Sequence, residues 1–514
     1  MTGWSTADWT TADWLRWSAD GWQAHGGMPA AAGGWQAHGG LPAAAGGSIP
    51  ALAAASASAR PDAVAVSVDG EPITHAELDD AAARIAGWLR RRGLAPGDRV
   101  LLVAGSSLGF VRCYLGALRA GAVVVLANPA YTAAELAHLA ADSGAVLAFT
   151  QPGVAAGIPS ADISVVPDAP PASVTPQADD VALLAYTSGT TGTPKGVPLT
   201  HRNLTASIGS AMAAWRWSPG DVLVHALPLF HQHGLSGVHT ALISGGSTHV
   251  LSRFAPGTLI AAAGEARASV LFGVPTMYQA LLDHRVPVPV RVPGLRLAVC
   301  GSAPLSPALA ARLPEVLGML PLVRYGTTET GLNISNPVDA PRAGTIGVPL
   351  PGVEVRLAGD GEIQLRGPQV FGGYWHNDAP TFTGSAHTGS AFTGDGWFRT
   401  GDIAALEDGH LVIRGRSKEM IITGGLNVYP REVEIALESH PSVQEAAVAG
   451  RPHEHWGEQV TAWVVLGDGH AFDEAALIAH ARTVLAPYKC PKQVFRLATL
   501  PRNPLGKIIR DGLG

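Results

Sequence analysis

Length, composition and charge already limit what this chain can be. With 514 residues it exceeds what one hydrophobic core usually supports, so we expect two or more domains. Hydrophobic residues make up 47% and charged residues 15%, which is typical of a globular protein and argues against a disordered chain. The net charge of −6, without a stripe of Lys or Arg, argues against nucleic acid as a partner.

The cysteines and the N-terminus bear on the compartment. Cys113, Cys300 and Cys490 are far apart, odd in number and in no CxxC spacing, which argues against a disulfide framework or a structural zinc site. No basic region precedes an apolar run at the N-terminus, so no secretory signal is predicted. Residues 101–131 are strongly apolar, but two arginines interrupt them, which favours a buried strand-helix-strand over a membrane span. We therefore expect a cytoplasmic protein.

Residues 1–47 form a low-complexity segment rich in Trp, Gly and Ala. The sequence GWQAHGGMPAAAG at 21–33 is repeated almost unchanged at 34–46. Two such short copies cannot bury a hydrophobic face, so a mobile tail is predicted. The alternative is a docking segment that uses its tryptophans as anchors. A second repetitive stretch, 382–396, is predicted to be a tolerated insertion in a surface loop.

From residue 48 onwards the pattern is that of an α/β protein. Thr74 and Glu77 have the spacing of a capping box, and a helix with one apolar face follows them. Strand-like runs at 100–104, 123–127 and 146–150 alternate with Ala-rich helical patterns. This alternation predicts parallel sheets flanked by helices.

The C-terminal part of the chain has a different pattern of predicted secondary structure. Short strands and turns at 343–414 predict a small β-rich subdomain. A helix at 430–439, followed by two strands, predicts a small α+β domain. We therefore divide the chain, after its tail, into a large domain at 48–416 and a small mobile domain at 417–514.

The stretch YTSGTTGTPKG, residues 186–196, has the composition of a phosphate-binding loop. Its small residues allow sharp turns that direct backbone N–H groups at anionic oxygens. Its hydroxyls and Lys195 add further donors. It is not a Walker A loop, because no Gly-Lys-Ser/Thr closes it.

This loop resembles the phosphate-loop signature of the adenylate-forming superfamily, which includes acyl-CoA synthetases, peptide-synthetase adenylation domains and luciferases. The resemblance covers about 48–514. Six further motifs follow in the family's order: LPLFHQHGL (227–235), GSAPL (301–305), YGTTETG (325–331), GWFRTGD (396–402), GRSKEMIITGG (415–425) and PRNPLGKI (501–508).

The resemblance implies a two-step reaction with ATP, Mg²⁺ and coenzyme A. A carboxylate attacks the α-phosphorus of ATP and releases pyrophosphate, and the thiol of coenzyme A then displaces AMP from the acyl-adenylate. The first step brings two anions together, so positioned cations and donors supply much of the catalysis.

The motif matches also imply residue roles. The catalytic set is Lys507, Thr328, Glu329 and His231. The ATP- and AMP-binding set is Thr187, Ser188, Gly189, Thr190, Thr191, Lys195, Gly301, Ser302, Tyr325, Gly326, Thr327, Asp402 and Arg416. Glu329 and Thr190 are the implied metal ligands, since hard oxygen ligands suit Mg²⁺. Gly424 and Gly425 are implied to line the coenzyme A tunnel, and Lys418 to be the hinge about which the small domain swings.

Within these sets, particular functions are implied. Lys507 would bridge the substrate carboxylate and the α-phosphate, and Thr328 would hydrogen-bond that phosphate. Tyr325 would stack on adenine, and Asp402 would accept both ribose hydroxyls. Each residue also has a plainer explanation. Without the motifs, Lys507 would be taken for a solvated tail lysine and Tyr325 for core packing.

The neighbourhood of the histidine motif resembles the malonyl-CoA synthetases. Its predicted acyl-binding set is His231, Gln232, Arg253, Ser302 and Thr327. His231 is interpreted as a gate or as a structural hydrogen-bonding histidine, and its spacing from His233 does not suggest a zinc site. Arg253 is the candidate for a distal carboxylate, because a buried unpaired charge is costly, or else it forms a surface ion pair.

Two positions differ from the malonyl-CoA synthetase pattern: Thr327 replaces Met, and Gln232 replaces a small residue. Both changes are expected to make the pocket more polar. They leave open malonate, a substituted dicarboxylate, or an aryl or medium-chain acid of secondary metabolism.

The leading hypothesis is thus an acid–CoA ligase that is a monomer or a homodimer. A second is an enzyme that passes the adenylate to a nucleophile other than coenzyme A. A third is a non-catalytic scaffold, and the presence of Lys195, Glu329, Asp402 and Lys507 argues against it.

Overall fold

The computed structural model describes residues 47–187, 194–284, 292–376, 391–423, 426–453, 456–503 and 507–513, with only the backbone of Asn427 and Asp511. Residues 1–46, most of the predicted loop insertion, the centre of the phosphate loop and the pair Gly424–Gly425 lie outside the described residues.

A six-stranded sheet lies early in the chain, in the order β6-β5-β3-β4-β7-β8. Its strands are β3 (Arg99–Val103), β4 (Val123–Ala127), β5 (Ala145–Thr150), β6 (Ser160–Asp162), β7 (Val181–Thr187) and β8 (Lys195–Thr200). They run parallel except for the hairpin of β7 and β8, which is antiparallel. The predicted strand-helix-strand at 101–131 is confirmed as β3, a helix at Leu108–Arg119 and β4.

A nine-stranded sheet carries the rest of the large α/β region, in the order β15-β14-β13-β12-β11-β9-β10-β1-β2. Its strands are β1 (Val64–Val68), β2 (Glu71–Thr74), β9 (Val222–His225), β10 (Ser247–Val250), β11 (Val270–Gly273), β12 (Leu297–Cys300), β13 (Leu322–Thr327), β14 (Gly331–Ser335) and β15 (Val348–Pro349). The pairs from β1 through β10, β9, β11 and β12 to β13 are parallel, and antiparallel pairs close both ends.

Helices cover these two sheets, and their starts follow local sequence signals. They are α1 (Ile49–Ala59), α2 (His75–Arg91), α3 (Leu108–Arg119), α4 (Ala133–Ser143), α5 (His201–Ala214), α6 (Gln232–Ser244), α7 (Pro256–Glu265), α8 (Pro275–Asp283) and α9 (Pro307–Leu317). The predicted capping box is confirmed at α2, where the Thr74 hydroxyl and the Glu77 carboxylate each accept from the other's backbone N–H.

The predicted β-rich subdomain is confirmed as a four-stranded antiparallel sheet. It contains β16 (Glu354–Leu357), β17 (Glu362–Arg366), β18 (Phe398–Glu407) and β19 (His410–Arg416). A single 3₁₀ turn, Ser417–Glu419, then leads into the C-terminal part of the chain.

The C-terminal part is α+β, as predicted. Its elements are β20 (Ile421–Thr423), β21 (Leu426–Val428), α10 (Pro430–Glu438), β22 (Val443–His453), β23 (Gly457–Leu466), α11 (Glu474–Val484), β24 (Gln493–Arg496) and a 3₁₀ turn at Arg510–Gly512. Its main apolar core is built from residues between Ile421 and Val494. We retain the division at 416/417 as a proposal.

Among the described residues, no helix is both long and apolar enough to cross a bilayer.

Several buried histidines make stability depend on pH. Burial lowers the pKa of His201 to about 4 and those of His225 and His239 to about 3. The unfolded chain takes up these protons below about pH 6.5 whereas the folded chain does not, so this stability is complete above pH 6.5 and is lost as the pH falls.

We expect the free energy of unfolding, measured by urea denaturation, to fall between pH 6.5 and pH 4.5 by about 1.4 kcal/mol per pH unit for each such histidine. His239→Gln should flatten the slope by about one such increment. The same substitution at an exposed position, His138→Gln, is the matched control. An equal slope in wild type and His239→Gln would contradict this origin.

Candidate active site

The predicted site residues gather at one edge of the nine-stranded sheet. Strands β9 to β13 are parallel, so their carboxyl ends meet there, which is where open α/β sheets usually bind ligands. His231 follows β9 and directly precedes α6. Gly301 and Ser302 follow β12, and Tyr325 to Thr327 end β13.

Lys507 enters this edge from the C-terminal part of the chain. Its backbone N–H donates to Asn503 Oδ1 at 3.0 Å, and its carbonyl accepts from the Asn503 N–H at 2.9 Å. The side chain remains exposed to solvent, although protein atoms approach it closely enough to desolvate the ammonium in part. Desolvation there lowers the pKa of Lys507, and the Arg416 guanidinium adds to the effect. The Asp402 and Glu329 carboxylates act on the same ammonium in the opposite direction, so these two acids and Lys507 lie within electrostatic reach of one another.

Asp402 lies buried between two donors. Its Oδ2 accepts from the Tyr325 hydroxyl at 2.6 Å, and its Oδ1 accepts from Arg416 Nε at 3.1 Å. Asp402 and Arg416 are directly paired across β18 and β19. Desolvation and then the Asp402 charge raise the pKa of Tyr325, which keeps its hydroxyl a donor. Ribose binding by Asp402 and adenine stacking by Tyr325 remain predictions.

The two ends of the phosphate loop are described, and its centre is not. Thr187 ends β7 and Lys195 begins β8, and the two residues are paired across this hairpin. Ser188, Gly189, Thr190 and Thr191 lie outside the described residues, so their predicted contacts remain predictions.

Glu329 and Lys195 approach each other through a tyrosine that the sequence analysis missed. The Tyr374 hydroxyl donates to Glu329 Oε1 at 3.0 Å, and Lys195 Nζ lies 5.3 Å from the centre of the Tyr374 ring. Glu329 Oε2 accepts no hydrogen bond from the described residues, so this oxygen fits the predicted role of a Mg²⁺ ligand.

The histidine motif forms a further part of the cleft wall. Burial, and secondarily the Lys507 charge, lower the pKa of His231 to about 4, so its ring is neutral at physiological pH. His231 Nε2 is buried without a hydrogen-bond partner among the described residues. His233 Nδ1 shares a 3.0 Å hydrogen bond with the hydroxyl of Ser302, whose φ of 69° is left-handed. No cluster of three metal-ligating side chains occurs in the described chain.

At the two positions that differ from the malonyl-CoA synthetase pattern, the polar side chains form hydrogen bonds within the protein. Gln232 Nε2 donates to the Thr328 carbonyl at 3.0 Å. The Thr327 hydroxyl shares a 2.9 Å hydrogen bond with that of Thr330. These groups therefore brace the loop between β13 and β14. Gly326 lies at the β13 bulge, where an added Cβ would clash with the Gly331 carbonyl.

Arg324, on β13, is a second residue that the sequence analysis missed. Its Nε is buried and has no hydrogen-bond partner among the described residues. Desolvation lowers the pKa of Arg324 to about 10, and its charge acts on both His233 and Lys507. The guanidinium passes directly over Gly301, where a Cβ would clash with it.

Arg253 lies three residues beyond β10 and is exposed. Its role in acid binding remains a prediction. Lys418 lies within the 3₁₀ turn between β19 and β20, where the hinge was predicted. Gly424 and Gly425 lie outside the described residues.

Comparison with known proteins identifies the family of this chain. The pattern of the AMP-binding enzyme family matches residues 53–375, and that of the AMP-binding enzyme C-terminal domain matches residues 432–507. The chain is 37% identical over 476 residues to feruloyl-CoA synthase from Amycolatopsis sp, which covers 88% of this chain and 95% of that protein. It is 38% identical over 381 residues to the mitochondrial malonate–CoA ligase ACSF3 of Mus musculus, which covers 65% and 64% respectively.

A solved structure is similar across most of the chain. The ATP-bound crystal structure of MatB from Rhodopseudomonas palustris superposes with a TM-score of 0.83 at 36% identity, covering 91% of this chain and 98% of that one. The chain is therefore an enzyme of the AMP-binding family, within the adenylate-forming superfamily and close to the malonyl-CoA synthetases.

Proposed function

We propose that this enzyme ligates a carboxylic acid to coenzyme A through an acyl-adenylate, with malonate or a related short dicarboxylate as the acid. The overall reaction is acid + ATP + CoA to acyl-CoA + AMP + pyrophosphate. The observation that carries the proposal is that Lys507, from the C-terminal part of the chain, lies within electrostatic reach of Glu329, Asp402 and His231, because a cation placed among these groups can face both an acid and a nucleotide.

In the adenylation step, an oxygen of the substrate carboxylate bonds to the α-phosphorus, and the bond from that phosphorus to the pyrophosphate oxygen breaks. Lys507 lies between the two anions and offsets their repulsion. Lys195 and the phosphate loop bind the β- and γ-phosphates, and Thr328 donates to the α-phosphate. Bound Mg²⁺ would supply charge neutralisation at the phosphate oxygens, and Glu329 Oε2 and Thr190 would be its protein ligands.

Arg324 supports the assignment of a dicarboxylate. The Arg324 Nε is buried without a partner among the described residues, its guanidinium lies over Gly301, next to Ser302, and its charge acts on His233. An anion brought by the substrate would pair with this cation. We propose that the distal carboxylate binds Arg324, with the Ser302 hydroxyl as a second donor. His231, which is neutral, can then face the acid without adding a charge of its own.

For the thiolation step, we propose that the C-terminal domain turns about Lys418, so that Gly424 and Gly425 line the path of coenzyme A. The coenzyme A thiol loses its proton to solvent and its sulfur bonds to the acyl carbon. The bond from that carbon to the phosphate oxygen of AMP breaks, and AMP leaves with its electrons. Arg510 pairs with Glu419 at 2.8 Å, so the segment that carries Lys507 is tied to the residue after the proposed hinge.

An aryl acid is the second candidate, because feruloyl-CoA synthase is as similar to this chain as the malonate–CoA ligase is. A site built to pair a substrate group rejects an analogue without that group strongly. We therefore expect kcat/KM for malonate to exceed that for butyrate or ferulate by about 10²-fold or more.

Pyrophosphate release across malonate, succinate, butyrate and ferulate, with and without coenzyme A, tests this proposal. Release that yields a thioester and is fastest with malonate is the expected result. Faster turnover of ferulate would overturn the dicarboxylate assignment. Release without any thioester would favour another nucleophile, and no release with any acid would favour the scaffold hypothesis.

A further inference from the structure

We propose that Tyr374 is a positioning residue that fixes the metal-binding carboxylate of Glu329 and keeps it apart from the phosphate-loop Lys195. This inference rests on the proposed function, because it concerns how that site is held ready for ATP and Mg²⁺. Tyr374 lies between the motifs at 325–331 and 396–402 and belongs to neither.

The backbone around Tyr374 is tied to both partners. The N–H of Phe371 donates to the Glu329 carbonyl at 2.9 Å. The N–H of Trp375 donates at 2.8 Å to the carbonyl of Gly196, the residue after Lys195. Segment 371–375 therefore connects Glu329 to Gly196, the residue next to Lys195.

Close packing fixes this segment in place. A Cβ added at Gly196 would lie 2.7 Å from the Trp375 Cβ, so only glycine allows this approach. The Phe371 ring packs edge-on against the Tyr374 ring, with centroids 5.0 Å apart. Trp375 Nε1 also donates to the Asp142 carbonyl at 3.1 Å. The half-buried phenol therefore has little freedom to leave Glu329.

The Tyr374 side chain also contacts the functional groups of both residues, the Glu329 carboxylate and the Lys195 ammonium. Its hydroxyl occupies Glu329 Oε1, which leaves Oε2 for a metal ion and sets the plane of the carboxylate. Its ring lies under the Lys195 ammonium, a favourable cation–π geometry. Among the described ion pairs none joins Lys195 to Glu329, so the ring acts as a spacer between opposite charges that would otherwise neutralise each other.

Tyr374→Phe separates the two roles, because it removes the hydroxyl and keeps the ring. We expect the Mg²⁺ concentration for half-maximal pyrophosphate release to rise about 10-fold, as is usual when a second-shell partner of a metal ligand is lost. The KM for malonate should stay within about twofold of wild type, because the acid pocket is untouched. Tyr374→Leu removes the spacer as well, and should also raise the KM for ATP.

A binding measurement accompanies the kinetics. The increase in thermal midpoint caused by ATP with Mg²⁺, relative to ATP with EDTA, should shrink in Tyr374→Phe. Tyr114→Phe is the matched control, because it deletes a phenol hydrogen bond of 2.8 Å to His239 in the core. It should lower the midpoint of the free protein without altering the effect of Mg²⁺.

A Mg²⁺ requirement in Tyr374→Phe equal to that of wild type, with Glu329→Gln raising it, would overturn the positioning role and leave the proposed function intact. If Glu329→Gln also leaves the Mg²⁺ requirement unchanged, the metal assignment fails, and this inference fails with it.

Discussion

Replacing Lys507 by alanine should slow adenylate formation by about 10²–10³-fold, the usual cost of removing one donor that stabilises a developing charge. Lys507 reaches the cleft from the C-terminal region, and both Glu329 and Asp402 act on its charge. Thiolation of a supplied acyl-adenylate should proceed at close to the wild-type rate, because the new bond to phosphorus already exists. ATP–pyrophosphate exchange and single-turnover thioester formation measure the two half-reactions separately.

The control for Lys507→Ala must remove the same charge elsewhere on the same domain. Arg482→Ala does so at an exposed position of α11 and should leave both half-reactions unchanged. Lys507→Arg keeps the positive charge but replaces a compact ammonium by a planar guanidinium, so it should recover only part of the rate of ATP–pyrophosphate exchange. A comparable loss in both half-reactions of Lys507→Ala would contradict a role confined to adenylation.

Features governed by neighbours in sequence were predictable. The capping box of Thr74 and Glu77 depends on residues three apart, and it forms as expected. The strands at 99–103 and 123–127 coincide with apolar runs that are long enough for a strand and too short for a helix. The antiparallel hairpin of β7 and β8 was missed, because parallel pairing was inferred from the alternation of strands with helices. Only seven residues separate Thr187 from Lys195, which is too few for the crossover that a parallel pair requires.

The contacts that define the cleft could not be read from spacing. The Tyr325 hydroxyl and Asp402 are 77 positions apart, and Tyr374 and Glu329 are 45 apart. No local periodicity reports such pairs, and only the motif resemblance placed Tyr325, Asp402 and Glu329 together. Arg324 and Tyr374 lie next to or between those motifs, and in sequence they look like ordinary strand and loop residues. Their roles become visible only through an unpartnered buried nitrogen and a hydrogen bond to a proposed metal ligand.

Arg324→Met should lower kcat/KM for malonate by about 10²–10³-fold while changing that for butyrate by less than about threefold. Methionine is unbranched and can follow the same path over Gly301, so the change removes the charge with little loss of packing. Malonate would then enter a pocket where its second carboxylate has no cation, whereas butyrate has no second carboxylate to leave unpaired. Steady-state pyrophosphate release with each acid gives the two ratios.

The thermal midpoint of the free protein distinguishes a loss of malonate recognition in Arg324→Met from a general loss of stability. Arg324 Nε has no hydrogen-bond partner among the described residues, so its removal should leave the thermal midpoint of the free protein unchanged or raise it, as often happens when a functional charge is deleted. Arg253→Ala tests the other candidate, which is exposed. If Arg253→Ala alone discriminates between the acids, the distal carboxylate lies at Arg253. If neither variant discriminates, the acid is not recognised through a second charge, and the assignment to a dicarboxylate is wrong.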